Sequence, residues 1–557
     1  MPEKTDANDA VLSFDLTERP WIEVLRRDGT QDELSLREVF RQAGEVRRIA
    51  GDLPTQEFAL LRLLLAIAHD AVEGPRDIEH WADLWSDPQC FVRVDEYLDR
   101  HQDCFDLFGA EAPFFQTAGL RTAKGEVFSL NRIVADVPNG EPFFSARMPT
   151  VDRLGFAEAA RWVVHAHAYD TSGIKSGADG DARAQGGKVY PLGVGWAGNL
   201  GGLFVEGDTL RETLLLNLVA ADTSGLRFET SDRPAWRREP SGPGGAERTP
   251  TGVRDLYTWQ SRRLRLYADS GGVHGVVLGY GDPLNARNKH VVEPMTAWRR
   301  SEAQEKKYGE ALVYLPREHD PERAAWRGIA SLIADRAESV KEGSNVPARL
   351  RPGILEWIAR LVTEGELPRH FLVRVRIIGA KYGTQQSVID EVVEDHLPVA
   401  VLLLHQKDRD YAQQAIDAVT DADNAVNALG DLATDLQRAA GIENESPRAA
   451  ARDRAFGALE GPYHGWLAGL ATADDPYEER TRWQRQVYRI VSRLGDQLAA
   501  DAGEAAWAGR TLPTKQGSVW LNSALAQQWF RTRLGKCLGY PSDSDQPPTP
   551  TTAGSSF

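Results

Sequence analysis

The pattern of apolar and charged residues changes near residue 400 and divides the chain into two parts. Before that point, short apolar runs alternate with turns rich in Gly, Pro and Asp, and helical segments lie between them. This alternation predicts a mixed α+β domain. Afterwards, long segments rich in Ala, Leu, Arg and Asp follow with short breaks, which predicts an up-down four-helix bundle. The predicted organisation is an α+β domain at 1–402, the bundle at 403–540 and a disordered tail at 541–557.

The four bundle helices are predicted from their lengths and from the glycines and prolines that separate them. They cover about 407–440, 446–471, 474–502 and 517–539. In the first domain, the apolar run Leu60–Ile67 contains Arg62 and is far too short for a membrane span, so it predicts a buried helix. The N-terminal residues are polar and acidic, without the apolar core of a secretory leader. No association with a membrane is expected.

One short run, Lys381–Ser387 (KYGTQQS), carries a specific local pattern. It follows Phe371–Ala380, where Val and Ile alternate with Arg, and this period of two predicts a strand with a basic face. Gly379 and Gly383 then predict that the strand ends in a tight turn, whose tip carries two glutamines. Two interpretations are open: an ordinary polar hairpin tip, or a pair of amides that enter a duplex or contact base edges.

The formal net charge of −16 argues against extensive contact with nucleic acid phosphates. The basic residues are nevertheless clustered, because residues 349–383 carry seven basic and three acidic side chains. Smaller basic clusters lie at 254–265 and 287–300. Such patches are expected on a subunit that contacts nucleic acid locally, and a solvated face without a partner is the alternative.

Several short motifs resemble catalytic, cofactor-binding or metal-binding sites, but the residues around them argue against these functions. The three cysteines are widely spaced, which indicates neither disulfides nor zinc and fits a reducing cytoplasm. GVGWAG at 193–198 matches a dinucleotide-binding string, but the glycines that follow oppose the helix that such a site needs. His165 and His167 resemble a metal-binding pair, yet on a predicted helix they point to different faces. We therefore expect no enzyme activity, no cofactor and no metal.

A second candidate segment is the glycine-rich stretch Thr171–Gly180 (TSGIKSGADG). Glycines let a main chain approach a groove closely, and Lys175 among them could hold a phosphate or reach a base acceptor. On its own this pattern is a weak signal, because most loops rich in glycine and serine are plain surface loops.

Taken in order, these segments resemble the CasA family, the large subunit of Cascade, the type I-E CRISPR surveillance complex. The resemblance covers nearly the whole chain and rests on the order of its segments, with the helical bundle closing the chain. The segments are FDLTERPWIEVL at 14–25, FALLRLLLAIAHD at 58–70, PFFQTAGL at 113–120, SGIKSG at 172–177, FVEGDTLRETLLLNLV at 204–219 and YGTQQSVI at 382–389.

The resemblance implies a non-catalytic subunit that recognises the protospacer-adjacent motif (PAM) in double-stranded DNA, while guide RNA pairing supplies sequence specificity. A glycine loop and a lysine then approach the PAM from the minor groove, and a glutamine wedge starts strand separation and R-loop formation. This sequence departs from the pattern of the family in two ways. A second glutamine stands where relatives can carry a small residue, and the cysteine cluster that some relatives have before the lysine is lacking. Carried over by position, the DNA-binding residues are Ser172, Gly173, Ile174, Lys175, Lys289, Thr384, Gln385 and Gln386.

The partners implied by the resemblance are the backbone, small and guide-end subunits of Cascade, the guide crRNA, double-stranded DNA with a PAM, and the helicase-nuclease effector, all in the cytoplasm. A loop around 142–155 with Phe143 and Phe144 is a candidate anchor to the complex, or else a core aromatic pair. Two alternatives remain: an RNA-binding scaffold subunit of a ribonucleoprotein without DNA readout, and a small-molecule enzyme that uses the GVGWAG loop.

Overall fold

The computed structural model describes residues 12–135, 150–317, 324–333, 347–368, 371–404, 408–442, 446–470, 472–514 and 517–539. The chain divides into two compact units, one with residues 1–325 and 331–397 and the other with residues 326–330 and 398–557. The first is mixed and the second mainly helical, which confirms the predicted fold class. The predicted domain boundary at residues 402–403 stays a prediction. The predicted disordered tail at 541–557 and the candidate anchor residues Phe143 and Phe144 lie outside the described residues.

The helices before residue 397 vary from one turn to five. They are α1 (Leu36–Arg41), α2 (Pro54–Ala71), α3 (Ile78–Ser86), α4 (Val92–His101), α5 (Phe156–Tyr169), α6 (Trp196–Leu200), α7 (Leu210–Leu216), α8 (Val253–Tyr257), α9 (Glu302–Tyr308), α10 (Ala330–Ile333) and α11 (Gly353–Thr363). None of the described helices of the chain is long and apolar enough to cross a membrane.

The strands of this part form small, separate sheets with the orders β2-β1-β3, β4-β5, β7-β8, β10-β9-β11 and β13-β12-β6. The strands are β1 (Ile22–Arg26), β2 (Gln31–Leu34), β3 (Val46–Ile49), β4 (Lys175–Ser176), β5 (Lys188–Val189), β6 (Gly202–Glu206), β7 (Arg262–Asp269), β8 (Gly272–Tyr280), β9 (Trp298–Arg300), β10 (Tyr314–Pro316), β11 (Arg349–Leu350), β12 (Leu372–Tyr382) and β13 (Ile389–Ala400).

Helix α2 runs through the core of the first unit and is buried on nearly all sides. Its apolar run therefore forms the buried helix that the sequence predicts, and it packs against α5 and α8. Arg62 is fully buried in this helix and forms two hydrogen bonds to the Glu293 carboxylate, at 2.7 and 2.6 Å. The rings of Phe58, Trp196 and Tyr257 surround its guanidinium at 4.7–4.9 Å. A buried charge is tolerated here because it is both paired and hydrogen-bonded.

Strand β12 has the predicted alternation, but its basic face is not open to solvent. Arg376 is buried and contacts carboxylates on three neighbouring elements: Glu57 of α2 at 3.0 Å, Glu206 of β6 at 3.4 Å, and Glu394 of β13. Arg374 pairs with Asp208 at 2.6 Å. Both arginines thus hold the hairpin to the unit; Arg376 is buried and not available as a phosphate contact, whereas the Arg374 side chain is 36% exposed.

The second unit is a helical bundle around one long helix. Helix α12 (Arg409–Ala440) packs against α13 (Ser446–Leu470), α14 (Pro476–Ala500) and α16 (Ser523–Cys537), and the short α15 (Gly503–Ala508) precedes α16. Small side chains on the buried face of α12 let its neighbours approach closely. Trp483 reaches it from α14 and donates a hydrogen bond to the carbonyl of Ala418 at 2.8 Å.

The fourth predicted bundle helix starts too early. Two paired strands precede it instead, β14 (Arg510–Thr514) and β15 (Gly517–Leu521). Arg510 attaches these strands to the end of α12 by a hydrogen bond to the carbonyl of Ala440 at 2.8 Å. Helix α16 begins only after Asn522, whose side chain accepts from the Leu525 amide at 2.9 Å.

Helix packing in the bundle gives a matched pair of glycine substitutions with opposite expected effects. A Cβ atom on Gly495 in α14 would lie 2.2 Å from the Phe530 ring of α16, whereas one on Gly457 in α13 would meet nothing within 4 Å. We expect Gly495→Ala to lower the free energy of unfolding by about 1–3 kcal/mol through overpacking. Gly457→Ala should raise it by about 0.5–1 kcal/mol through helix propensity. Urea denaturation of the two variants measures both; equal shifts of one sign would contradict this packing.

Candidate nucleic-acid interface

The glycine loop, residues 172–177, starts directly beyond α5 and leads into β4. Tyr280 at the end of β8 fixes it, because its hydroxyl donates to the carbonyl of Gly173 at 2.7 Å and accepts from the Gly173 amide at 2.9 Å. Ile174 at the top of the loop is 59% exposed. The loop therefore presents its backbone and an apolar side chain from a fixed position.

A buried charge cluster lies under the loop. The Asp170 carboxylate contacts the Lys175 ammonium at 2.7 Å and the Arg262 guanidinium, and all three side chains are at least nine-tenths buried. Arg262 also donates to the carbonyls of Asp170 and Gly193, at 2.8 and 3.1 Å. Burial raises the pKa of Asp170, but the two cations outweigh it and hold that pKa below its ordinary value. Lys175 is thus engaged inside the protein, and its predicted contact with phosphate or base is not supported by its position.

The hairpin tip, residues 384–387, connects β12 to β13 and is exposed. Strand β12 continues through Gly379 to Tyr382, so the expectation that this glycine ends the strand is wrong. A Cβ atom on Gly383 would lie 2.5 Å from the Asp390 carboxylate, but Asp390 is exposed and its side chain can move aside, so packing alone does not require glycine here. Gln385 and Gln386 both have positive φ, at 56° and 57°, a conformation that costs side-chain-bearing residues on the order of 1 kcal/mol each.

The structure brings the glycine loop and the hairpin tip together. The Ser172 amide donates a hydrogen bond to the main-chain carbonyl of Gln386 at 2.7 Å. A cavity of about 450 Å³ adjoins this junction and is lined by both segments and by residues 131–135. The exposed amides of the tip and the exposed backbone of the loop consequently form one continuous edge.

The GVGWAG segment packs behind this edge. A Cβ atom on Gly195 would lie 2.4 Å from the main chain of Ala168, and one on Gly198 would lie 2.1 Å from the Tyr382 hydroxyl. That hydroxyl donates to the carbonyl of Tyr169 at 2.8 Å and so ties the hairpin to the end of α5. Contrary to expectation a helix does open here, the short α6, but the strand before it, β5, has only two residues and ends at Val189, so it does not lead directly into the glycines as a dinucleotide site requires. The glycines permit close packing.

The two histidines of the HxH string are separate buried side chains. His165 contacts the Thr55 hydroxyl at 2.9 Å, and His167 contacts the carbonyl of Phe115 at 2.8 Å. Burial lowers the pKa of His165 to about 3 and that of His167 to about 4. Within the described residues, no His, Cys, Asp and Glu side chains are grouped to hold a metal ion.

Lys289 belongs to a different segment, between β8 and β9. It starts a short 3₁₀ turn, Lys289–Val291, and is half-buried. Burial, together with the charge of Arg287, lowers the pKa of Lys289. In the described part of the chain, no hydrogen bond or ion pair joins it to either segment. The structure thus brings together seven of the eight predicted residues and does not join Lys289 to them.

Most arginines of the predicted basic clusters are used internally, which reduces the surfaces expected to contact nucleic acid. They form these pairs: Arg254–Asp70, Arg262–Asp170, Arg263–Asp282, Arg287–Glu310, Arg300–Glu305, Arg351–Glu356, Arg360–Asp222, Arg374–Asp208 and Arg376–Glu57.

The residues that position the site were missed from sequence: Asp170, Arg262, Tyr280 and Tyr382. Arg262 lies 92 positions from the aspartate it binds, and no spacing rule connects them. The one usable signal is that Asp170 immediately precedes the glycine-rich segment.

A sequence profile of the family described as CRISPR-associated protein Cse1 matches residues 15–494. The chain belongs to this family. Membership confirms the resemblance found in the sequence, because CasA and Cse1 name the same proteins. CasA/Cse1 of Thermus thermophilus is 30% identical over 524 residues, covering 90% of this chain and 91% of its own.

Solved Cse1 structures have the same fold. Cse1 of Thermobifida fusca is 57% identical, with a TM-score of 0.88 over 95% of this chain and 98% of its own. Cse1 of Acidimicrobium ferrooxidans is 33% identical, with a TM-score of 0.80 over the same shares. A chain of a CRISPR RNA-guided surveillance complex is 16% identical, with a TM-score of 0.67 over 94% of this chain and 99% of its own, and shows the likeness of fold alone.

Proposed function

We propose that this Cse1-family protein is the non-catalytic large subunit of a Cascade complex in CRISPR antiviral defence. In this role it recognises the PAM in double-stranded DNA, begins to open the duplex for pairing with the guide RNA, and provides the surface that recruits the helicase-nuclease. Family membership supports the assignment, as does the likeness of fold to a chain of an RNA-guided surveillance complex.

The observation that carries the proposal is the hydrogen bond from Ser172 to Gln386. It fixes the glycine loop and the hairpin tip at one edge, so that a duplex lying against the loop also meets the tip amides. The loop offers the exposed side chain of Ile174 and, at Gly173, a position without a side chain, which suit the narrow minor groove better than long side chains would. Gln385 and Gln386 then act as the wedge, with Thr384 beside them.

The chemistry of the minor groove fits a loop that contacts the PAM and a neighbouring tip that opens the duplex. Its pattern of donors and acceptors is degenerate, so a subunit that contacts it should accept several related PAM sequences. Unstacking one base step costs on the order of a few kcal/mol, which inserted side chains can offset through contact area and hydrogen bonds. Opening then continues because the RNA–DNA hybrid is about as stable as the duplex that it replaces.

The remaining partners follow from the same role. The helical unit would contact neighbouring Cascade subunits and the displaced strand, and the whole assembly with its crRNA would act in the cytoplasm.

Binding of the assembled complex to a library of duplexes with randomised PAM positions tests the proposal. A limited set of preferred PAM sequences is expected. Equal binding to all sequences, with RNA assembly intact, would favour the RNA-binding scaffold instead.

The assignment of Lys289 can be tested separately. If this lysine reaches a base acceptor, Lys289→Ala should weaken binding to PAM duplex by about tenfold and leave binding to duplex without a PAM nearly unchanged. Lys306→Ala on α9, an exposed lysine, is the matched control and should affect neither duplex. Equal losses on both duplexes would make Lys289 a phosphate contact only.

A further inference from the structure

A second cavity in the first unit lies away from the glycine loop and the hairpin tip. It measures about 920 Å³, and no residue of 172–177 or 384–387 lines it. Its size is within the range of small-molecule and cofactor sites. The proposed role in DNA recognition makes no use of it.

The apolar side of this cavity is aromatic. The rings of Phe114 and Phe115 are stacked with centroids 4.5 Å apart and planes within 5°, and Trp236 lies 6.4 Å beyond Phe115. Phe115 has a φ of 52°, a left-handed conformation held by the hydrogen bond between its carbonyl and His167. Backbone strain of this kind is concentrated at binding sites, where the surrounding structure maintains it.

Arginines also line the cavity, and each of those described next is paired with a buried carboxylate. Arg237 uses one nitrogen, Nη1, to bind the buried Asp70 at 2.9–3.0 Å. Its Nε and Nη2 groups make no hydrogen bond to any described residue, and 34% of the side chain is exposed. The other arginine pairs of the wall are Arg238–Asp255, Arg248–Asp255, Arg248–Asp282 and Arg263–Asp282. Guanidinium groups are therefore held in fixed orientations with spare donors.

Arg233 adds a cation that is not neutralised within the protein. It is exposed, lines the cavity and forms no ion pair with the described residues. Three carboxylates also line the cavity: Glu111 and Glu239 are exposed and screened by solvent, and the buried Asp282 is paired with Arg248 and Arg263. Small residues of the stretch 240–244 complete the wall and leave room for a ligand.

We propose that this cavity binds a nucleotide unit, with the phosphate held by Arg233 and Arg237 and the base against Trp236. Fixed guanidinium forks suit phosphate oxygens, and an aromatic wall suits the flat face of a base. The unit could be a free nucleotide or one nucleotide of a single strand, since both present the same phosphate and base.

Calorimetric titration of the full chain with ATP and with a short single-stranded oligothymidylate tests this inference. Arg233→Glu reverses a charge that has no partner to lose, and Ala118→Trp fills an exposed part of the wall without touching an arginine. We expect each to weaken binding about tenfold or more while the melting temperature is unchanged. Arg93→Glu, an exposed arginine of α4 outside the cavity, is the matched control and should bind as the wild type does.

Binding of ATP alone would identify a free nucleotide as the ligand, and binding of the oligonucleotide alone would identify a strand. No binding of either, or binding that neither cavity variant weakens, would overturn the proposal. Polyglutamate that competes as well as either probe would also overturn it, because the site would then accept any polyanion. The assay contains no PAM duplex, guide RNA or neighbouring subunit, so its outcome is independent of the proposed DNA recognition.

Discussion

Replacing both tip glutamines by alanine (Gln385→Ala with Gln386→Ala) is expected to slow R-loop formation by the assembled complex on linear PAM duplex about tenfold to hundredfold. The physical reason is that the wedge offsets part of the cost of unstacking the first base step. Alanine has the same backbone restriction as glutamine at positive φ, so the hairpin itself should keep its shape. Single-turnover strand-opening kinetics on a duplex with a fluorescent base near the PAM would measure the rate.

The same double variant should form R-loops at nearly the wild-type rate when the base pairs beside the PAM are mismatched or the DNA is negatively supercoiled, since the unstacking cost is then already met. Gln528→Ala, an exposed glutamine on α16, serves as the matched control and should open linear duplex normally. An unchanged rate for the double variant on linear duplex would eliminate the wedge. If the double variant is slow on linear duplex, the single variants Gln385→Ala and Gln386→Ala show which glutamine carries the larger share of the effect.

Removing the carboxylate beneath the glycine loop should have the largest effect on stability. Asp170→Ala leaves Lys175 and Arg262 buried without their common counterion. Loss of one partner from a buried ion pair typically lowers the free energy of unfolding by about 3–5 kcal/mol. We expect a loss in this range by urea denaturation, together with loss of PAM-dependent binding, because Arg262 also fixes the main chain at the base of the loop. Asp179→Ala, which breaks the exposed pair with Arg121, should change the denaturation midpoint very little.

The pH dependence of this stabilisation has a defined sign. The pKa of Asp170 in the folded protein lies below the ordinary value of 3.8, so the folded state holds the ionised form more strongly than the unfolded state does. The stabilisation is complete above about pH 4, the range in which an unfolded Asp titrates, and it is lost as the pH falls through the lower folded pKa. The difference in unfolding free energy between wild type and Asp170→Asn should therefore stay constant above that range and shrink below it. A difference that instead grew with acidity would mean that Asp170 is protonated in the native state.

The sequence correctly predicted those elements that depend on a local pattern of apolar and polar residues. The buried helix α2 and the alternating strand β12 follow from their apolar periods, and the bundle follows from long helical runs with short breaks. The start of the fourth bundle helix was wrong because the paired strands β14 and β15 are held there by Arg510 contacting the end of α12, a contact between distant parts of the chain.

The candidate site also depends on contacts between distant parts of the chain, which local sequence patterns do not predict. The glycine loop and the glutamines were located from sequence, but their adjacency depends on a hydrogen bond between Ser172 and Gln386, more than two hundred positions apart. Likewise, the spacing of basic residues could not show that Arg376 and Arg262 are turned inward onto carboxylates. Charge counts along a sequence do not reveal which charges the fold neutralises.

The bond between the loop and the tip also bears on how the protein can evolve. It joins the Ser172 amide to the Gln386 carbonyl, so it is made by main-chain atoms and is independent of the side chains at either position. If the loop contacts DNA as proposed, substitutions of loop side chains such as Ile174 can alter that contact while the tip keeps its place beside the loop. In the proposed role, this main-chain hydrogen bond would connect PAM recognition with strand opening, so a change of PAM preference would not require a new means of opening the duplex.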